Sequence, residues 1–535
     1  MKKLLAILLA LTLVLSFAAC GARQDAAPTD GNETDQNAAE KPAETASDNT
    51  ATGTRTDVVY GLTSDVGSLD HITATDQISN IAWRQLYDTL VEKDENGEWV
   101  GKLAESWELS DDGCTYTFHL RKDVVCHDGL PMTAEDVAYS INREIASAAN
   151  GPCMVNMIDA TVVDDYTVDI NLSAPYAPTL EVLLAWGRIS SARTTDYDTA
   201  PIGTGPYKFV SRSSGENIIM EAWDQYYLGE AAIKNLTFRV ITDANSQIAA
   251  IQTGDIDFLT HAPLSAKGTV EADSNLVWQQ TDFRGNVWVT MREDIAPFDN
   301  VLARKAVQYC VDKATMLQGG SEGLGMILKT LWPAGVTASP EKDYVEPYSY
   351  DVEKAKEYLD QYKAEAGVDE VTIEILAPDT AMYLLPATTL EGMLREAGFT
   401  VTTNQIERAT FWSSLQSGQY QIAVAGTSWA VADGDAEFMY LHSSAAGGQN
   451  YIPCLNDEID SLLELARSSS DEEERRDAYA QVQQIIDDEA ILVTLYCPAN
   501  AVCFNAALTV LLVFFRGLFL PALPGWLGEK VWLLY

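Results

Sequence analysis

The sequence predicts an α/β fold with a mostly parallel sheet in its second half, and two patterns in the chain support this prediction. Between Val58 and about Phe283, short runs of β-branched and aromatic residues alternate with glycine, aspartate and proline, which is typical of strands joined by turns. After about Val301, predicted helices alternate with predicted strands. A β-α-β-α-β order indicates parallel strands with right-handed crossovers. The chain has 535 residues, so more than one domain is expected.

The first half of the chain contains mainly predicted strands and one clear helix. Thr133 is expected to cap this helix, because Asp136 stands three residues later and completes a capping box. Val137, Ile141 and Ile145 then share one helical face. The predicted strands are VVYGL (58–62), CTYTFHL (114–120), TVDINL (167–172), GPYKFV (205–210), NIIMEAW (217–223) and LTFRVI (236–241).

The second half carries the alternating pattern. Asp351 is expected to cap a helix that runs to Gly367. The following predicted elements are the strand VTIEIL (371–376), the helix LEGMLREAG (390–398), the strand FTVTTNQI (399–406), the helix FWSSLQSG (411–418) and the strand YQIAVAG (420–426).

The first 57 residues predict export and tethering. Lys2 and Lys3 precede an uncharged apolar run, and small residues lead from it to Cys20. This order resembles a bacterial lipoprotein signal over residues 1–19, with Cys20 as the lipid anchor. A plain secretory signal with an incidental cysteine is the alternative, and the apolar run is shorter than the ~20 residues of a membrane span. Residues 20–57 have almost no large apolar side chain and predict a disordered tether.

The charge of the chain excludes some partners. The sequence has 35 basic and 78 acidic residues, a formal net charge of −43. Nucleic-acid binding requires neutralisation of phosphates, and docking on anionic lipid requires a basic surface. We therefore expect no nucleic-acid partner and interpret the charge as a solvated acidic surface that keeps the protein soluble.

The segment TSWAVADGDAEF (427–438) is the candidate ligand segment. It follows the predicted strand 420–426, and ligands of open α/β sheets bind beyond the carboxyl ends of the strands. Trp429 offers an aromatic surface, while Asp433 and Asp435 offer carboxylates on either side of Gly434. The alternative is a core tryptophan followed by two aspartates that cap a loop.

Blocks spread over residues 58–505 resemble solute-binding family 5, the substrate-binding proteins of peptide and nickel ABC importers. The blocks include LAESWELSDDGCTYTFHLRKDVVCHDGLPMTAEDVAYSI (103–141), PIGTGPYKFV (201–210), IQTGDIDFL (251–259), PFDNVLARKAVQYCVDKATML (297–317), YSYDVEKAKEYL (348–359) and SWAVADGDAEF (428–438).

The resemblance implies a periplasmic-binding-protein-like, three-lobed fold with mixed sheets and a ligand cleft between lobes. The first lobe would comprise residues 58–98, 200–282 and 492–535. Residues 99–199 would form an inserted β-rich lobe, and residues 283–491 a second α/β lobe.

The resemblance also implies a function. It implies a monomeric, lipid-anchored receptor on the extracytoplasmic face of the membrane, periplasmic in a two-membrane cell. This receptor would deliver an oligopeptide or similar extended solute to an ABC permease, with no cofactor, metal or catalytic residue. The main chain of residues 64–66, after the first predicted strand, would pair with the ligand like an added strand. The implied ligand-binding residues are Ser64, Asp65, Val66, Ser428, Trp429, Ala430, Asp433 and Asp435.

Ala432 departs from the family pattern. Peptide-binding members carry an aspartate three residues after the tryptophan, where it pairs with the α-ammonium of the ligand. Asp433 or Asp435 would take this role here, and Asp435 is favoured because members keep an acidic residue six positions after the tryptophan. Otherwise Asp435 braces the loop, or the ligand is not an ordinary free-amine peptide.

Other functions are less favoured by the sequence. A receptor for a nickel chelate or another non-peptide solute stays open as an alternative, although the histidines show no ligand-type spacing. A surface hydrolase is the weaker alternative, because GGSEG (319–323) has a nucleophile-elbow pattern but follows a predicted helix rather than a strand. Residues 509–535 lack the polar ending usual in the family and are interpreted as a divergent or frame-disrupted end.

Overall fold

The computed structural model describes residues 56–73, 76–94, 96–282, 285–446, 450 and 456–508. The predicted signal, Cys20, nearly all of the predicted tether and the unusual C-terminal end lie outside the described residues.

Strands and helices are numbered in chain order. The strands are β1 (Asp57–Leu62), β2 (Val91–Lys93), β3 (Trp99–Gly101), β4 (Ala104–Leu109), β5 (Thr115–Leu120), β6 (Met157–Asp164), β7 (Thr167–Leu172), β8 (Tyr207–Ser213), β9 (Asn217–Ala222), β10 (Asn235–Val240), β11 (Phe258–Thr260), β12 (Leu276–Asp282), β13 (Gly285–Met291), β14 (Gly325–Ile327), β15 (Thr372–Pro378), β16 (Thr400–Ile406), β17 (Ile422–Ser428) and β18 (Leu492–Asn505). The helices are α1 (Gln77–Leu86), α2 (Ala134–Ala146), α3 (Thr179–Ala185), α4 (Ala244–Thr253), α5 (Lys267–Glu271), α6 (Val301–Cys310), α7 (Lys313–Ser321), α8 (Val352–Ala366), α9 (Ala381–Glu396), α10 (Arg408–Gln416), α11 (Phe438–Leu441), α12 (Asp457–Ser468) and α13 (Glu472–Asp488).

A mixed 12-stranded sheet contains most of these strands. Its main order is β16-β15-β17-β13-β18-β11-β1-β10-β9-β8, with β12 and β14 also paired to β18. β15 pairs in parallel with β16 and β17, which confirms the predicted β-α-β-α-β unit. Parallel pairing also joins β1 to β10 and β11, whereas the remaining pairs are antiparallel. The α/β class and the mixed sheets are confirmed: the β15–β16–β17 unit is parallel as predicted, whereas hairpins and β18 supply antiparallel neighbours elsewhere in the sheet.

The strand β18 joins the two halves of this sheet. Its first part pairs with β13 and β14, and its second part pairs with β12 and β11. The side chains along it are almost all buried. One continuous strand therefore connects the halves from which the candidate site is built.

A separate four-stranded antiparallel sheet has the order β4-β5-β7-β6. Helix α2 packs against it, and Val137 and Ile141 are buried with Phe118 in one hydrophobic cluster. The capping box of Thr133 and Asp136 at the start of α2 is present as predicted. Buried side chains elsewhere form further hydrophobic clusters. Two of these clusters contain alternate residues of β13, so they lie on opposite faces of the large sheet. The exact lobe boundaries stay a prediction.

Two helices differ from the sequence-based prediction. Helix α9 begins at Ala381 rather than Leu390 and contains Pro386, although proline interrupts the helical hydrogen-bond pattern. Pro386 is buried in this helix, so packing outweighs the local preference. The helical stretch predicted before GGSEG, residues 304–317, is two helices, because Val311 is extended and the Asp312 carboxylate caps α7.

None of the helices in the described ranges is both long enough and apolar enough to cross a membrane.

Candidate functional site

A side-chain hydrogen bond between Gln77 and Ser428 links the end of β17 to the start of α1. Ser428 is the exposed last residue of β17, and Gln77 is the first residue of α1. The Gln77 amide donates a long hydrogen bond of 3.5 Å to the Ser428 hydroxyl. His261, which follows β11, donates from Nε2 to Gln77 Oε1 at 2.9 Å. The carboxyl ends of β17 and β11 therefore meet at the start of α1, and the sequence alone gave no reason to select Gln77 or His261.

Trp429 is only 4% exposed and begins the loop after β17. The next two residues, Ala430 and Val431, pack against the hydrophobic cluster of the four-stranded sheet and its helices. This loop is therefore in contact with the region predicted as the inserted lobe. The burial of Trp429 is compatible with both interpretations of this residue, so its contact with ligand stays a prediction.

Asp433 is almost completely buried and is paired with Arg475 of α13. Its Oδ2 accepts from Arg475 Nη1 at 3.0 Å, and its Oδ1 accepts from Nη2. Oδ1 also accepts from the backbone N–H of Asp435 at 2.8 Å. The next residue, Gly434, has no space for a side chain, since a Cβ would lie 2.3 Å from the ring of Tyr479. This part of the loop is tightly fixed onto α13.

Asp435 is paired with Arg467 of α12. Arg467 donates from Nε to Oδ1 at 2.8 Å and from Nη2 to Oδ2 at 3.0 Å, and the Tyr176 hydroxyl donates to Oδ2 at 2.9 Å. Burial raises the pKa of Asp435, although the Arg467 guanidinium acts in the opposite direction. Both candidate carboxylates therefore hold arginines of this chain, and their contact with ligand stays a prediction.

Glu437 lies beneath the same loop and was not predicted from the sequence. Its side chain is fully buried, and Oε1 accepts from Asn286 Nδ2 and from the Thr427 hydroxyl, each at 3.1 Å. Burial raises its pKa to about 8, against the opposing hydrogen bonds from Thr427 and Asn286. A carboxyl with this pKa is mostly protonated at neutral pH. In the sequence it resembled an ordinary acidic residue at the start of a helix.

The segment Ser64–Val66 follows β1 and bonds to the β8–β9 turn. The Asp65 carboxylate accepts from the Gly215 N–H at 2.8 Å and the Ser214 hydroxyl at 2.9 Å, while Arg212 donates to the Val66 carbonyl. Burial acts to raise the pKa of Asp65, but these hydrogen bonds and Arg212 outweigh it and lower the pKa. The Ser64 side chain is exposed. The main-chain pairing predicted for this segment stays a prediction.

A Ser–His–Glu arrangement joins the segment after β1, helix α2 and the segment after α3, but it is buried. His71 Nδ1 is 2.6 Å from Glu144 Oε1, and His71 Nε2 is 3.2 Å from Ser190 Oγ. All three residues are at most 1% exposed, and Ser190 also bonds to Tyr197 and Ser140. A substrate cannot reach a hydroxyl enclosed in this way, so the cluster is a structural network. Across the described ranges, no group of three or more His, Cys, Asp or Glu residues is arranged to hold a metal ion.

Comparisons with known proteins agree with this architecture. Residues 98–449 match the family model described as bacterial extracellular solute-binding proteins, family 5 Middle. Heme-binding protein A of Haemophilus influenzae is 28% identical over 77% of this chain and 81% of its own length. The dipeptide-binding protein of Escherichia coli is 27% identical over 76% of this chain and 82% of its own length. Among solved structures, the ABC transporter-associated periplasmic binding protein DppA from Helicobacter pylori, in complex with peptide STSA, has a TM-score of 0.68 at 26% identity and covers 84% of this chain and 94% of that chain.

Proposed function

We propose that this chain, which belongs to the bacterial extracellular solute-binding proteins of family 5, captures an oligopeptide or a similar extended solute and delivers it to an ABC permease. The resemblance to this family and the mixed α/β, periplasmic-binding-protein-like fold are confirmed. A peptide is the first choice of solute because one similar protein is named for dipeptides and a similar solved structure contains a peptide.

The Gln77–Ser428 contact is the observation that supports capture between the two halves of the sheet. A hydrogen bond of 3.5 Å between two side chains is weak, so it exchanges easily for bonds to a solute. A solute that bonds both Gln77 and Ser428 would favour the arrangement in which the two halves are close. Binding would then shift the equilibrium through contacts that only this arrangement provides.

Asp433 and Asp435 support this site in our proposal by fixing the loop that carries Trp429. A ligand ammonium at either carboxylate would compete with an arginine that already makes two hydrogen bonds to it. Bidentate pairs of this kind are among the stronger hydrogen-bonded contacts in proteins. The ligand α-ammonium is therefore expected to find other acceptors, or to be absent.

The receptor is proposed to be a monomer held at the extracytoplasmic face of the membrane by lipid on Cys20. Support comes from the sequence, in which Lys2 and Lys3, an apolar run and small residues precede Cys20. The following tether, about 37 residues of flexible coil, would span roughly 30–35 Å root-mean-square. This reach would let the body meet a permease in the same membrane.

Calorimetric titration with peptides tests the proposal. The full-length chain in detergent is titrated with the peptide STSA and with an equimolar mixture of random tetrapeptides. Gln77→Ala and Ser428→Ala should each weaken binding roughly 2- to 10-fold, the effect of one net hydrogen bond. Gln481→Ala is the matched control, because Gln481 is exposed on α13 and its amide donates to the Asp477 carbonyl within the same helix. Unchanged affinity in both site variants would refute the location.

A further inference from the structure

His261 follows β11 and contacts the side chain of Gln77 directly. Its Nε2 lies 2.9 Å from Gln77 Oε1, whereas Gln77 Nε2, at the other end of the same amide, donates to the Ser428 hydroxyl at 3.5 Å. An amide oxygen only accepts hydrogen bonds, so the shorter contact requires a proton on His261 Nε2. The two ends of the Gln77 amide are therefore held by two different residues.

The two contacts of Gln77 come from different parts of the large sheet. β11, which precedes His261, pairs with β1, and α1 with Gln77 follows β1 in the chain. β17, which ends at Ser428, lies on the far side of β18 in the strand order. The contact with His261 therefore stays within one half of the sheet, and it remains available when a solute replaces Ser428 at the other end of the amide.

The backbone around His261 is fixed by its neighbours. The φ angle of His261 is 55°, in the left-handed region that residues other than glycine seldom adopt, although histidine does so more often than most. Thr260 pairs with Val502 of β18, and the Ala262 N–H donates to the Ala501 carbonyl at 3.0 Å. Burial lowers the pKa of His261, so the imidazole is mostly neutral at neutral pH and carries a proton on one nitrogen only. A neutral ring on a fixed backbone gives Gln77 one defined donor.

We infer that His261 is a positioning residue, which turns the Gln77 oxygen inward and presents the Gln77 amide N–H groups to the solute. This inference rests on the proposed function and adds a specificity-determining residue to it. In the reverse orientation, the Gln77 N–H groups would face His261, and a protonated Nε2 would then meet a second donor. The solute atom at Gln77 is accordingly a hydrogen-bond acceptor, such as a carbonyl oxygen. Because Gln77 is held in place before binding, it also loses less entropy when the solute binds.

A double-mutant cycle on the full-length chain in detergent tests this role. Calorimetry measures the affinities of the wild type, His261→Phe, Gln77→Ala and the double variant for the peptide STSA and for an equimolar mixture of random tetrapeptides. His261→Phe keeps a ring without an N–H, and it should weaken binding roughly 2- to 10-fold, as the loss of one net hydrogen bond does. In the Gln77→Ala background it should change the affinity by less than about twofold, because His261 acts through Gln77. Equal losses in both backgrounds would show a merely structural role and overturn the inference.

A further variant tests which end of the Gln77 amide faces the solute. Gln77→Glu keeps the size of the side chain but replaces the N–H groups with an acceptor oxygen, so it should bind peptide more weakly than Gln77→Ala. Binding by Gln77→Glu that equals or exceeds that of Gln77→Ala would overturn the donor role of Gln77. His119→Phe is the control for the ring substitution, because His119 is partly exposed on β5 in the four-stranded sheet.

Nuclear magnetic resonance separates this inference from the proposed function, because it needs no solute. In the wild type with isotopically labelled histidine nitrogens, the His261 ring is identified by comparison with His261→Phe, and its Nε2 should carry the proton. With labelled glutamine, the Gln77 side-chain amide signals, identified by their absence in Gln77→Ala, should shift in His261→Phe. These two results would support the orientation even if no peptide bound, which would count against the proposed function alone. An Nε2 without a proton, or Gln77 signals that do not shift, would overturn the inference. Circular dichroism confirms that each variant is folded.

Discussion

Asp435→Asn is the substitution that best distinguishes a loop brace from a ligand anchor. The carboxylate accepts two hydrogen bonds from Arg467 and one from the Tyr176 hydroxyl, all between 2.8 and 3.0 Å. Asparagine has nearly the same size but only one acceptor oxygen and no charge. The variant therefore leaves the Arg467 guanidinium without its counter-ion.

The expected loss of unfolding free energy follows from the burial of the pair. Removing one partner of a buried ion pair costs about 3–5 kcal/mol. Asp435 is buried and Arg467 is only partly buried, so we expect a loss of about 2–3 kcal/mol. Urea unfolding measures it, with Asp477→Asn as the control because Asp477 is exposed on α13. A double-mutant cycle with Arg467→Met should give a coupling energy of about 1–3 kcal/mol.

Binding data complete this test. If Asp435 braces the loop, Asp435→Asn weakens the binding of the peptide STSA and of its N-acetylated form by the same factor. If Asp435 is the ammonium anchor, only the free-amine peptide loses affinity. Unchanged stability together with a selective loss for the free amine would refute the bracing role. Equal affinity of the wild type for the free-amine and the N-acetylated peptide would indicate that no ammonium is bound.

Further variants test other parts of the account. Cys20→Ala should release the protein from the membrane fraction or leave its precursor uncleaved, without changing solute affinity; unchanged lipid labelling would contradict the anchor. Trp429→Phe should reduce the ligand-dependent fluorescence change relative to wild type, a comparison needed because the chain has 12 tryptophans, and full retention of signal and affinity would make Trp429 a core residue only. Glu437→Gln should alter the pH dependence of stability. Because the pKa of Glu437 is about 8 when folded and the ordinary value is 4.5, its neutral form stabilises the wild type fully below pH 4.5 and this contribution is lost as the pH rises through 8. The free energy of unfolding of the wild type should therefore fall relative to that of Glu437→Gln between pH 4.5 and pH 8, by at most about 1.4 kcal/mol per pH unit. Urea unfolding measures both proteins, and parallel plots of unfolding free energy against pH would refute the buried neutral carboxyl.

Local patterns predicted much of the fold because they depend on neighbouring residues. The capping box of Thr133 and the left-handed Gly367 that ends α8 can both be recognised within a few residues. The strand and helix order from 371 to 426 likewise predicted the parallel group of β15, β16 and β17. The predicted helix 390–398 is shorter than α9, whose first half contains Pro386; the burial of this proline is a property of the packed structure.

The candidate site was harder to predict because its contacts join distant residues. Gln77 and Ser428 are separated by 351 positions, and no local pattern relates them. The aspartates of the loop could be selected, but not their partners, since Arg467 and Arg475 reach them only after α12 and α13 pack beside the loop. The buried state of Glu437 depends similarly on Asn286 of β13.

Native mass spectrometry of the full-length chain, extracted from its host membrane in detergent, tests the central claim most directly. The account predicts a protein mass increased by noncovalently bound solute, which unfolding releases and which tandem spectra identify as peptides or similar extended molecules. A chain that carries no solute as purified, and that retains none from an added mixture of random tetrapeptides, would contradict the proposed function.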